Sequence, residues 1–205
     1  MRCLLCDFDG VLCKLDQRAA IKHLNAEREK LLISPSDILS RFFYSNPYYK
    51  EIDTGSWSYD EMLIKIQDTS WIGSEEEWLY IWQKIWECYE TDLLILDRLN
   101  KLLENGILVR LVSDNHRDFR SWMSTRPELA SLERNLICSA EVGFCKPSKE
   151  IFMLSITGFS VSFSDTCFID DNVNNILAAK NLGIKSIHHL DSQTTLKKLE
   201  DVFLI

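Results

Sequence analysis

The chain has 205 residues, 46% of them apolar and 26% charged, with a formal net charge of −8. That is ordinary for a globular protein and long enough for one domain with a substantial insertion. The acidic balance disfavours nucleic acid as a partner, because phosphate contacts need clustered Lys and Arg; no run approaches the ~18 apolar residues of a membrane span.

The first element is Cys3–Cys6, a short apolar run that ends in Asp7. A signal peptide needs about 7–15 apolar residues there, and the acids arrive too early, so a cytoplasmic protein is expected. The seven cysteines form no CxxC pair and no zinc spacing. They read as small buried hydrophobes in a reducing compartment.

Residues 14–92 read as helical throughout, rich in aromatics and without clear strands. Trp78, Trp82 and Trp86 recur at i, i+4, i+8, which is one helix face. That face is expected to pack on neighbouring helices of the same segment; it also leaves a homo-oligomer contact open.

From residue 93 the texture changes. Leu96, Leu99 and Leu103 give a helix over 93–103, stopped by Asn105-Gly106. Pro147 opens another helix that runs to Gly158. A third, over 172–182, carries Val173, Ile176 and Leu177 on one face and ends at Gly183. Between them lie apolar runs at 107–112, 136–138, 167–169 and 187–190. Continuous runs of this length predict strands buried on both faces. The expected fold is α/β: a doubly wound, Rossmann-like, three-layer parallel sheet from residues 1–13 and 93–205, with 14–92 inserted as an all-α cap domain.

Four clusters fall where strands end, the place where open α/β sheets bind ligands. Asp7-Phe8-Asp9-Gly10 brings two carboxylates into one crevice around a sharp turn. Such a pair repels unless a cation lies between or one acid is protonated, and a hard dication with oxygen ligands such as Mg²⁺ resolves that. Ser113-Asp114-Asn115 follows an apolar run and is expected to begin a helix, whose first amides with the Ser113 hydroxyl would cradle a phosphate. Lys146, just ahead of Pro147, can neutralise a phosphate oxygen or a charged nucleophile. Asp170-Asp171 closes the last cluster.

These residues resemble the haloacid dehalogenase superfamily over nearly the whole chain. Asp7 to Val11 resembles its first motif, Ser113 its second, Lys146 its third and Asp170-Asp171 its fourth. The insertion is similar to the helical cap of the first subclass. Closer still is the likeness to small sugar-phosphate phosphatases of the α-glucose-1-phosphate phosphatase type, over residues 43–66, 113–147 and 168–183.

The resemblance implies a phosphatase for a small phosphorylated metabolite. Asp7 is then the nucleophile, and Asp9 the acid for the leaving alkoxide and afterwards the base for water. Mg²⁺ would be held by Asp7, the backbone carbonyl of Asp9 and the fourth-motif acids, with Asp171 favoured as the direct ligand and Asp170 direct or one shell out. Ser113, Asp114, Asn115 and Lys146 form the expected phosphate-binding set. The acid at Asp9 favours phosphate esters over haloacids. Relatives usually carry Asn where Asp114 stands; Asp114 is expected to turn away and cap the next helix. Tyr48, Tyr49, Lys50, Glu51 and Trp57 lie where relatives line the pocket, and Arg117 reads as a surface residue. A phosphomutase and a non-catalytic sensor or assembly protein on the same scaffold are the alternatives.

Overall fold

The computed structural model describes residues 1–26, 34–43, 49–58, 61–62 and 75–203. The chain enters through β1 (Cys3–Cys6), turns, and passes β2 (Cys13–Leu15) into helices α1 (Gln17–Ala26), α2 (Pro35–Phe43), α3 (Tyr49–Asp53) and α4 (Glu75–Trp86). It returns by β3 (Tyr89–Thr91) to α5 (Leu93–Glu104), β4 (Leu108–Ser113), α6 (Phe119–Ser124), α7 (Ala130–Glu133) and β5 (Leu136–Cys138). Then follow α8 (Ser139–Val142), α9 (Lys149–Ile156), β6 (Thr166–Asp170), α10 (Val173–Asn181), β7 (Lys185–His188) and α11 (Ser192–Phe203).

Five parallel strands form the main sheet in the order β5-β4-β1-β6-β7. All four side chains of central β1 are buried. Successive side chains point to opposite faces, so Leu4 and Cys6 join Ile95 and Leu99 of α5. On the other face Cys3 and Leu5 join Phe152 of α9 and Ile176 of α10. Each fully buried Leu or Phe contributes about 1.5–3 kcal/mol of transfer free energy. Burial on both faces is why the strands read as unbroken apolar runs. The chain winds out to β5, then returns to the far side of β1 as β6. That reversal makes the crevice beside the carboxyl end of β1 the ligand site of such sheets.

The inserted helices hold a separate core that includes Leu24, Ile38, Ile52, Ile81 and Ile85. The expectation of no strands within 14–92 needs correction. β2 and β3 pair antiparallel, with Leu15 opposite Tyr89, and close the neck of the insertion. Two further differences are local. The last strand starts at Lys185, and Leu190 is exposed beyond it. On α10, Ile176 and Ala179 are buried while Val173 and Leu177 face outward.

Among the described residues, Trp86 clusters with the core of the sheet rather than with the described part of the helical core. It joins Tyr89, Phe119 and Trp122 at the neck, stacked on Tyr89 with ring centroids 4.7 Å apart. The side chains of Trp71, Trp78 and Trp82 lie outside the described residues. All seven cysteines are free, six of them buried. None of the described helices is long and apolar enough to cross a membrane.

Candidate active site

Parallel register places the ends of β1 and β6 side by side, since Cys6 pairs with Ile169 and the Asp7 amide donates to the Ile169 carbonyl. Asp7 and Asp170 therefore emerge next to each other. Lys146 enters between them from the loop before α9. Its Nζ lies 2.5 Å from Asp7 Oδ1 and 3.1 Å from Asp170 Oδ2. All three are buried, at 7% exposure for Asp7, 8% for Lys146 and 0% for Asp170.

Further donors hold this knot in place. The Phe8 amide donates to Asp7 Oδ1 at 2.7 Å. The Asn172 amide donates to Asp170 Oδ1 at 2.7 Å, and Asn175 Nδ2 to Asp170 Oδ2 at 3.0 Å. Burial by itself would lower the Lys146 ammonium, but attraction from Asp7, Asp170 and Asp114 outweighs it and holds the lysine raised and charged. Burial pushes the Asp7 carboxyl up; Lys146 opposes that and Asp170 adds to it. One ammonium thus faces two buried carboxyl groups, a local deficit of positive charge.

A cavity of about 580 Å³ opens over this knot. Asp7, Asp9, Ser113, Asp114, Lys146 and Asp171 all line it, so the structure brings together most of the sequence-predicted site. Asp170 stands behind the wall. Carboxylate oxygens of Asp7, Asp170 and Asp171 lie within 4.8 Å of one another. Gly10 makes that possible: its φ is +79°, and a Cβ there would fall 2.3 Å from Asp171 Oδ2. Asp9 opens to the cavity amid surrounding protein. The resulting desolvation raises its carboxyl, against a hydrogen bond from the Tyr89 hydroxyl.

Three expectations around Ser113 need correction. The helix after it begins only at Phe119, so no helix N-terminus cradles the Ser113 hydroxyl. The intervening loop makes other bonds: the Asn115 amide donates to Ser139 Oγ and the Asp118 amide to His116 Nδ1. Asp114 does not cap that helix; its Oδ1 accepts the Lys146 backbone amide at 2.9 Å and so fixes the lysine loop. Asn115 is not among the residues lining the cavity; its Oδ1 accepts the His116 amide. Burial leaves His116 neutral, with its pKa lowered to about 3.

Tyr48 lies outside the described residues, as does the side chain of Tyr49, and Lys50, Glu51 and Trp57 are not part of the cavity wall. Arg117 is exposed, as expected of a surface residue, and also ties the insertion to the sheet, with Nη2 donating to the Gly55 carbonyl at 2.5 Å. Gly55 itself packs so tightly that a Cβ would meet the Ala140 carbonyl oxygen at 2.2 Å. Sequence reasoning missed Lys14, Gln17, Tyr89 and Asn175, which also line the cavity. Asn175 had a signal, lying on the first turn after Asp170-Asp171. Lys14 and Tyr89 reach the site only through the β2–β3 pairing. Asp53, on α3, faces Asp114 across the seam. Burial and that acid push it up to about 7, while Lys146 opposes them.

A five-stranded parallel sheet with an acidic, lysine-bearing cavity at the carboxyl ends of its strands defines a doubly wound α/β enzyme with a helical insertion. The family model for haloacid dehalogenase-like hydrolases matches residues 1–183, and the chain belongs to that family. A D-ribitol-5-phosphate phosphatase of Bacteroides thetaiotaomicron is 28% identical over 190 residues, covering 88% of this chain and 87% of that protein. A sesquiterpene phosphatase of Aspergillus oryzae is 26% identical over 116 residues, covering 56% of this chain and 59% of that one. Among solved structures, a HAD family enzyme of Bacteroides thetaiotaomicron in complex with magnesium and inorganic phosphate superposes with a TM-score of 0.71 at 22% identity, covering 91% of this chain and 93% of that one.

Proposed function

We propose that the protein is a Mg²⁺-dependent phosphatase of small phosphate monoesters, with sugar or polyol phosphates as the substrate class, acting through an aspartyl phosphate on Asp7. The observation that carries this reading is the convergence of Asp7, Asp9, Ser113, Lys146 and Asp171 on one cavity. Its volume of about 580 Å³ suits a small metabolite. The ribitol-phosphate phosphatase relative supports the polyol class.

The donor set is hard oxygen, short of positive charge, and shaped by a glycine that leaves no room for a side chain beside Asp171. It fits Mg²⁺. Asp7, Asp171 and the Asp9 backbone carbonyl would hold the ion, with Asp170 already committed to Lys146, Asn172 and Asn175 behind them. When bound, the ion supplies shielding of Asp7 and stabilisation of the phosphoryl oxygens.

The residues divide the reaction between them. Asp7, fixed by Lys146 and the Phe8 amide, attacks phosphorus and forms a new P–O bond as the ester oxygen departs. Asp9 gives its proton to that oxygen. As a carboxylate it then takes a proton from water while the water oxygen attacks the acyl phosphate, and the bond to Asp7 breaks. Ser113 and Lys146 hold the phosphoryl group, where positioning and charge supply most of the acceleration. The helical segment 14–92 serves as the cap that limits access.

The test is phosphate release over a panel of sugar phosphates, polyol phosphates, nucleotides and phospho-acids with Mg²⁺. Hydrolysis concentrated in the sugar and polyol members is the expected result. No release from any member contradicts the reading, and an isomeric hexose phosphate in place of free phosphate indicates a mutase.

A further inference from the structure

One hydroxyl in the cavity wall comes from none of the four clusters. Tyr89 lies on β3, the strand that leaves the helical insertion, and its Oη donates to Asp9 Oδ2 at 3.1 Å. The ring is held as firmly as a core residue, at 4% exposure. It stacks on Trp86 at 4.7 Å and 21°, and lies within 6.4 Å of Phe8, the residue between the two acids. Trp86 is the last residue of α4.

Both partners of this hydrogen bond belong to one ribbon. Asp9 bridges to Cys13, and the Gly10 amide donates to the Cys13 carbonyl at 2.8 Å. Cys13 begins β2, and β2 carries Leu15 opposite Tyr89. The phenol therefore cannot shift relative to Asp9 unless the neck itself moves.

We infer that Tyr89 is the positioning residue for Asp9: its phenol anchors one carboxyl oxygen, aims the other at the scissile oxygen, and ties that aim to the end of α4. This rests on the phosphatase reading. A carboxyl group hydrogen-bonded at one oxygen loses the rotation that would otherwise turn its proton away from the leaving group. Alignment of this kind is a large part of general acid catalysis, which contributes about 10²–10⁴-fold in all.

The consequence depends on the leaving group. An alkoxide is too basic to depart without a proton, so an alkyl phosphate needs a well-aimed Asp9. A nitrophenolate departs unaided. Tyr89→Phe removes one oxygen and keeps the ring that stacks on Trp86. The ratio of two esters within one variant also cancels any loss of folded protein.

The experiment measures kcat and KM with Mg²⁺ for D-ribitol 5-phosphate and for 4-nitrophenyl phosphate. It uses the wild type, Tyr89→Phe, Asp9→Asn and the double variant. The expected result is a fall of about tenfold or more in kcat/KM for the alkyl ester, carried by kcat, against less than about threefold for the aryl ester. Tyr89→Phe should add nothing to Asp9→Asn, because it acts through that carboxyl. Equal losses of kcat/KM on both esters, an unchanged kcat/KM for the alkyl ester, or additive losses in the double variant would overturn the inference. A wild type inactive on both esters and on every member of the phosphate-ester panel refutes the phosphatase reading itself. An active wild type matched by Tyr89→Phe refutes only the role given to Tyr89.

Discussion

Lys146→Met tests the electrostatic knot directly. The Lys146 ammonium lies 2.5 Å from Asp7 and 3.1 Å from Asp170, with side-chain exposures of 3%, 9% and 0% for the three residues. Methionine keeps the volume and removes the charge. Two buried carboxyl groups then face each other with no cation between them. Removing one partner of a buried pair costs about 3–5 kcal/mol. In a chain of this length each kcal/mol is worth roughly 2–4 °C, so the melting temperature in EDTA should fall on the order of 6–20 °C. Acid should recover part of the loss, because protonating one carboxyl relieves the repulsion. Mg²⁺ should recover more in the variant than in the wild type, since the ion supplies the missing charge. Turnover should stay down by about 10²–10³-fold even with Mg²⁺, as for the loss of one donor to the transition state. Calorimetry with and without Mg²⁺ reads both effects. A melting temperature in EDTA within about 2 °C of the wild type would refute the reasoning, for the knot would then not be a buried ion network.

Gly10→Ala should strain a backbone at φ +79° and push Asp171 aside, weakening apparent Mg²⁺ affinity by about 10–100-fold; activity titrated against Mg²⁺ checks it, and an unchanged curve counts against Asp171 as a ligand. Asp53 bears on pH. Its carboxyl rises from 3.8 to about 7 in the folded chain, facing Asp114 and, more weakly, Lys146. The folded state therefore holds a proton that the unfolded state has lost, and stability falls as pH rises through that window. Asp53→Asn should flatten the slope and leave the variant more stable at neutral pH, by at most on the order of 4 kcal/mol. Urea midpoints across pH measure this, and parallel curves for variant and wild type would contradict it.

The sheet and most of the acid site were legible because they are local. A strand buried on both faces must be largely apolar along its length; β1 leads directly into Asp7, β4 ends in Ser113 and β6 ends in Asp170. The acids at Asp7, Asp9, Asp170 and Asp171 need only strand ends and a tight turn to converge. What stayed hidden depends on contacts distant in sequence. Asp114 reads as a helix cap by its residue type, yet its partner is the Lys146 amide in another loop. Tyr89 and Lys14 belong to strands of three residues with one buried side chain each, too short for any period to show. Trp86 has the spacing of a helical core residue, and the spacing alone does not show that its ring also meets Tyr89 and Trp122 at the neck. The aim of Asp9 was illegible for the same reason, since the hydroxyl that holds it lies eighty residues away.

In the proposed mechanism Asp7 carries the phosphoryl group. Enzyme mixed with Mg²⁺ and its best substrate, quenched in acid during turnover and digested, gives the peptide that contains Asp7. The expected result is a single phosphoryl group on Asp7, removed by hydroxylamine and absent from an inactive Asp7→Asn variant. Sustained phosphate release by Asp7→Asn, with no modified peptide in the wild type, would contradict it.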